Sequence, residues 1–127
     1  DPFKLARVKT APASHEYLGR LARLRREELD GFIDGLFAGQ DEMDFPESAH
    51  RAVGTLGEMR ALFAATEDLA TDPPGPADTS TMEETAKHLR ELTRIAETEI
   101  NTIIQSCRKA RQQMLETYVI ERPGTLH

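Results

Sequence analysis

Two pairs of residues in this chain have the spacing of metal ligands on one helix face: Glu47 with His50, and Glu84 with His88. Side chains three or four residues apart on a helix stand one turn above another and can converge on one ion. Carboxylate-bridged metal centres in helical bundles exploit this with paired Glu-x-x-His motifs and two further inward carboxylates. Glu47-Ser-Ala-His50 supplies one such motif, and Glu84 with His88 supplies two more ligands, but no second Glu-x-x-His completes the set. Both pairs also fall where helices are expected to begin, and the helix dipole alone favours acid there. The sequence therefore assigns no metal and no cofactor. A small-ligand or metal-binding bundle with hydrolase activity, using Glu47, His50, Glu84 and His88, stands as the alternative reading.

Covalent catalysis has still less to draw on. A Ser or Cys nucleophile needs an oriented base beside it. The one cysteine, Cys107, lies between Ile103 and Ala110 on an apolar stripe, where it reads as a small packing residue. A single cysteine also excludes an intramolecular disulfide and a multi-cysteine zinc site. No glycine-rich loop follows a strand, so phosphate-cradling motifs are absent.

Two short resemblances to enzyme families end at the same point. Arg122 and His127 have a spacing that resembles the Arg–His pair of HEPN-type ribonucleases, but in that family the pair rides on a helix, and Pro123 and Gly124 break one. Glu27-Glu-Leu-Asp30 resembles one of the two acidic clusters of MazG-type pyrophosphohydrolases, whose preceding cluster of glutamates has no counterpart here. No catalytic residue is assigned.

Charge narrows the partners. Twenty-two acidic residues against 16 basic give a net charge of −6, which opposes binding to a phosphate backbone. Arg20, Arg23 and Arg26 form a short basic stripe, but acid follows at once and no aromatic side chain interleaves, so it reads as a solvated face. No apolar run approaches the roughly 18 residues of a membrane span, and no signal-peptide pattern opens the chain. The expectation is a cytoplasmic protein that binds neither nucleic acid nor membrane, and its Ala and Arg usage suits a bacterial source.

The elements that carry these residues are helical. Residues 1–13 look like an arm, with Pro2 and Pro12 bracketing a stretch that holds Phe3, Leu5 and Val8. Ser14 is a good N-cap for a first helix over about 14–39, with Leu18, Leu21, Ala22, Leu29, Phe32, Ile33 and Leu36 on one face. Asp44-Phe-Pro-Glu47 signals a second start, and a helix over about 45–70 carries Ala49, Val53, Leu56 and Phe63. Gly54 and Gly57 weaken that helix by about 1 kcal/mol each relative to Ala, which close approach of a neighbouring backbone would explain. Asp72-Pro-Pro-Gly-Pro76 ends it. Ser80 with Glu83, or Thr81 with Glu84, then offers a capping box for a third helix over about 80–119. Residues 14–120 make one domain, and 121–127 read as a tail or linker.

The third helix holds the most regular pattern in the chain. Met82, Ala86, Leu89, Thr93, Ala96, Ile100, Ile103, Cys107, Ala110, Met114 and Thr117 alternate by four and three residues. That heptad spacing gives one stripe for contact with other helices. About 40 residues at 1.5 Å each make a helix of ~60 Å, against ~38 Å for each of the other two. Two short helices leave part of a long one uncovered. The fold class expected is therefore all-α: an antiparallel helical bundle of three main helices with a long, coiled-coil-like third. The first helix is basic early and acidic late and the third is the reverse, so an up-down-up arrangement sets opposite charges side by side between them.

The function expected is a non-enzymatic protein–protein interaction module: a dimerising scaffold, adaptor or regulatory subunit. Its partner would be a second copy or another helical protein, and its surface Leu89, Ala96, Ile100, Ile103, Ile104, Cys107, Ala110, Met114, Leu115 and Tyr118.

Overall fold

The computed structural model describes residues 1–39, 45–76 and 78–121. Three helices account for most of them: α1 (His15–Gly39), α2 (Glu47–Thr71) and α3 (Thr79–Glu121). They pack up-down-up into an all-α bundle in which α2 lies against both neighbours, while α1 and α3 touch only sparsely.

Each start has its own chemistry. Ser14 caps α1: its Oγ accepts the Tyr17 N–H at 3.1 Å and its carbonyl accepts the Leu18 N–H at 2.9 Å. Pro46 directly precedes α2 and provides no side-chain cap; the expected cap, Asp44, lies outside the described residues. For α3 the cap is Asp78, rather than Ser80 or Thr81. Its carboxylate accepts the Thr81 hydroxyl at 2.6 Å and the backbone N–H groups of Ser80 and Thr81, which together hold its pKa below the ordinary carboxylate value. Aspartate satisfies more of the unpaired N–H groups of a first turn than a single hydroxyl can.

One continuous core joins the helices. Leu29, Leu56, Phe63, Leu89, Ile100 and Ile103 are fully buried, with Leu18, Ala22, Ala52, Met82 and Leu92 filling between them. Glycines contribute differently from expectation. A Cβ built on Gly54 or Gly57 meets nothing within 4 Å, so no neighbouring backbone accounts for either residue. The close approach is at Gly19, where a Cβ would lie 3.2 Å from the Ala70 Cβ, at the end of the bundle where α1 begins and α2 ends.

The arm is the fourth structural element. It runs in irregular conformation along the α1–α3 groove, antiparallel to α3, and buries Leu5 to 5% exposure. Side chains of both helices hold its backbone. Asn101 accepts the Phe3 N–H and donates to the Phe3 carbonyl, Glu97 accepts the Leu5 N–H at 3.2 Å, and Glu28 accepts the Ala6 N–H at 2.8 Å. Beneath it Arg25 is buried, its guanidinium donating to the other Glu28 oxygen at 2.7 Å. The Phe3 ring rests 6.3 Å from Phe32.

This placement overturns the expected charge pairing. The cross-helix ion pairs among the described residues join α1 to α2: Arg26 to Glu67 at 2.8 Å and Arg60 to Asp30 at 2.7 Å. Glu28 turns to Arg25 and to the Ala6 N–H of the arm, and Glu97 to the Leu5 N–H, so the arm takes up carboxylates on both of the faces that were to pair. Among the described residues no helix is long and apolar enough to cross a membrane.

Candidate functional site: the projecting segment of the third helix

With 43 residues, α3 is about 65 Å long, against about 38 Å for α1 and α2 with 25 each. The level at which its companions stop is marked by Ser48, in the first turn of α2, whose hydroxyl lies 2.8 Å from that of Ser106. Beyond Cys107 some 14 residues of α3, about 21 Å of helix, extend past the bundle.

Burial along the heptad stripe follows this geometry. Leu89, Ala96, Ile100 and Ile103 are completely buried. These four residues of the expected interaction surface belong instead to the chain's own core, because α2 and the arm cover that stretch. Ile104, Cys107 and Ala110 are half-buried at the margin. Met114, Leu115 and Tyr118 are exposed by 68%, 60% and 54%, and Val119, outside the expected set, by 56%. The accessible part of the stripe thus begins at Ile104. Val119 escapes a strict heptad reading because an undistorted helix has 3.6 residues per turn, so the apolar stripe widens toward Leu115 and Val119 as it leaves the core.

Burial pushes the Cys107 thiol above its ordinary pKa, with Arg111 pulling the other way, so the nucleophilic thiolate is disfavoured. Arg108, Lys109 and Arg111 are exposed beside the bundle, while the stretch from Leu115 onward in α3 carries acid and no base. The segment is therefore apolar along one side and polarised in charge along its length.

The two Glu–His pairs lie at opposite ends of the bundle. Glu47 and His50 begin α2 beside the Ser106 level of α3. Glu84 is 22 residues earlier in α3, about 33 Å away. No four-ligand centre can form from them, and among the described residues no group of three or more His, Cys, Asp or Glu is placed to hold a metal ion. Glu27 and Asp30, the acidic cluster, are paired with Arg23, Arg26 and Arg60. Arg122 and His127 lie outside the described residues.

Glu84 and His88 do border a cavity of about 900 Å³ where α1 begins, α2 ends and α3 begins. Leu18, Leu69 and Met82 supply apolar lining, and Asp78, Glu84 and Glu91 contribute carboxylates. His15 also lines it, with its Nε2 shielded from solvent and without a protein partner. Sequence reasoning missed His15, since nothing in its spacing links it to residues some 70 positions away.

No family model matches this sequence, and no curated protein or solved structure shows significant similarity to it.

Proposed function

We propose that this protein is a non-enzymatic interaction module, a dimerising scaffold, adaptor or regulatory subunit, that associates with a second copy of itself through the projecting segment of α3. The single observation that carries this reading is the exposure of Met114 and Leu115, 68% and 60%, on a helix that has left its companions behind. Apolar side chains clustered on a protruding rod mark contact sites, because water leaves them at a gain of roughly 25 cal/mol per Å² buried. The segment is also marginal as a lone helix. Helices of ~12–15 residues hold poorly in water without packing, and here the bundle supplies only the nucleus. A helix in a second copy would supply the missing contacts, with anchors giving affinity and flanking charge setting register.

Multi-angle light scattering over a concentration series tests this. The wild-type chain is expected to pass from monomer to dimer as concentration rises, and Met114→Glu with Leu115→Glu to remain monomeric with the helices of the bundle intact. A wild-type chain that stays monomeric up to millimolar concentration refutes the reading.

The cavity at the opposite end favours one secondary reading, a small-ligand site with an apolar body facing Leu18 and Met82 and a positive group facing Glu84 and Glu91. A thermal-shift screen of small amphipathic cations, repeated with Glu84→Gln, tests it: stabilisation of the parent that the variant loses supports the site.

A further inference from the structure

The arm is fastened at two places and free between them. Asn101, Glu97 and Glu28 hold the backbone of Phe3, Leu5 and Ala6, and Ser14 opens α1. Among the described residues no hydrogen bond fastens the stretch 8–12. Pro12 fixes its own φ and keeps Ala11 extended, so this stretch is a stiff arch that cannot fold down onto the helix. A cavity of about 460 Å³ separates it from α1.

The walls of that cavity are mostly apolar. Val8 and Pro12 face it from the arm, and Tyr17, Leu21 and Leu24 face it from one side of α1, at helical spacings of four and three residues. Sites for small organic molecules have volumes of roughly 300–1,000 Å³ and the same make-up, an apolar lining with a few polar groups that fix orientation. Here the charged groups are Lys9 on the arch and Arg20 on α1, one turn from both Tyr17 and Leu24.

Both cations are unspent. In the basic stripe of α1, Arg23 is paired with Glu27, and Arg26 with Asp30 and Glu67, whereas Arg20 meets no carboxylate among the described residues. Lys9 meets none either. No described carboxylate lines the cavity, although the chain as a whole carries a net charge of −6. The local field is thus opposite in sign to that of the molecule, and its complement is an anion.

We infer that the cavity between the arm and α1 binds a small anionic amphiphile, with its hydrocarbon body against Leu21, Leu24 and Val8 and its anionic head at Lys9 and Arg20. Because the arch supplies one wall and α1 the other, the ligand clamps the arm to the bundle. The site is independent of self-association.

Octanoate is the probe, titrated into the full chain and followed by amide NMR. Saturable shifts are expected at Thr10, Arg20 and Leu24, with affinity rising by up to about fourfold for each CH₂ added from hexanoate to octanoate. Arg20→Gln and Lys9→Gln, both at exposed positions, should each weaken binding about two- to fivefold, the worth of an exposed ion pair. Octylammonium, of equal length and opposite charge, should leave the same amides unmoved. A ligand that binds only the docked arm also slows its release, so hydrogen-exchange protection at Leu5 and Ala6 should rise by the factor 1 + [L]/Kd, about tenfold at ten times Kd. Absence of saturable shifts at the cavity overturns the inference. So do equal responses to octanoate and octylammonium, or binding that leaves Leu5 and Ala6 protection unchanged.

Discussion

Replacing Leu5 by alanine separates the arm's role from that of the three helices. Leu5 is 5% exposed, so its side chain sits almost as deep as the helical core, yet the segment that carries it has no regular structure. A buried Leu→Ala change costs about 2–5 kcal/mol, and the lower end applies where surroundings can relax into the space left behind. An arm held by side-chain hydrogen bonds at Phe3, Leu5 and Ala6 can relax by shifting or by detaching. Detachment also caps the loss, because once the arm is off its own contacts no longer count toward the bundle's stability. The expected cost is therefore about 2 kcal/mol, which for a chain of this size lowers the melting temperature by about 8 °C. Urea unfolding followed by helical circular dichroism measures the first quantity, and hydrogen exchange at the Leu5 and Ala6 amides measures local release. Both amides should lose protection while those of α2 keep most of theirs. If stability and amide protection are unchanged, the arm does not lie in this groove and the account of the α1–α3 interface fails. Glu28→Ala should cost more, about 3 kcal/mol, since it strands the buried Arg25 charge as well as freeing the Ala6 N–H.

Further outcomes follow from burial and charge. Gly54→Ala and Gly57→Ala meet open space, so each is expected to raise unfolding stability by up to about 1 kcal/mol through the unfolded chain and helix propensity; a loss in either would mean that a contact needs the glycine there. Ile103→Glu buries a charge in the core and should unfold the chain, whereas Met114→Glu should leave the thermal denaturation of dilute, monomeric protein close to that of the wild type and weaken association; equal melting temperatures for the two would refute the division of the stripe. Asp30 is held below its ordinary pKa by Arg60 first and Arg26 second, against an opposing effect of burial. Its folded value being the lower one, its contribution is complete above the unfolded pKa of about 4 and fades as pH falls through the folded value. Arg60→Gln should move the Asp30 carboxyl upward in an NMR titration and reduce that acid sensitivity.

The alternation by four and three from Met82 to Thr117 and the apolar faces of the first two segments were enough to read three helices, because a 3.6-residue period is a local property that needs no knowledge of neighbours. Proline runs and glycines marked where the helices end for the same reason. The difference in helix length was likewise legible, since length is only a residue count times a fixed rise. What the sequence could not apportion was the stripe itself. Ile100 and Met114 occupy equivalent positions in the repeat, two heptads apart, yet one is fully buried and the other two-thirds exposed. Only the level at which Ser48 meets Ser106 separates them, and that is a relation between segments some 58 residues apart.

The arm shows the same division more sharply. Leu5 and Val8 announced an apolar segment, but its place in the α1–α3 groove depends on Glu28, Glu97 and Asn101, polar residues that pattern reading assigns to solvent. With the arm there, the charge pairing that the helix sequences suggested gives way to an α1–α2 network in which Arg26 meets Glu67 and Asp30 meets Arg60. Local periodicity thus determined which segments are helices, how long each is and which side of each is apolar. Tertiary packing decided which part of that apolar side the chain covers with its own atoms and which part it leaves exposed, because burial depends on what lies across the gap, and no residue encodes that alone.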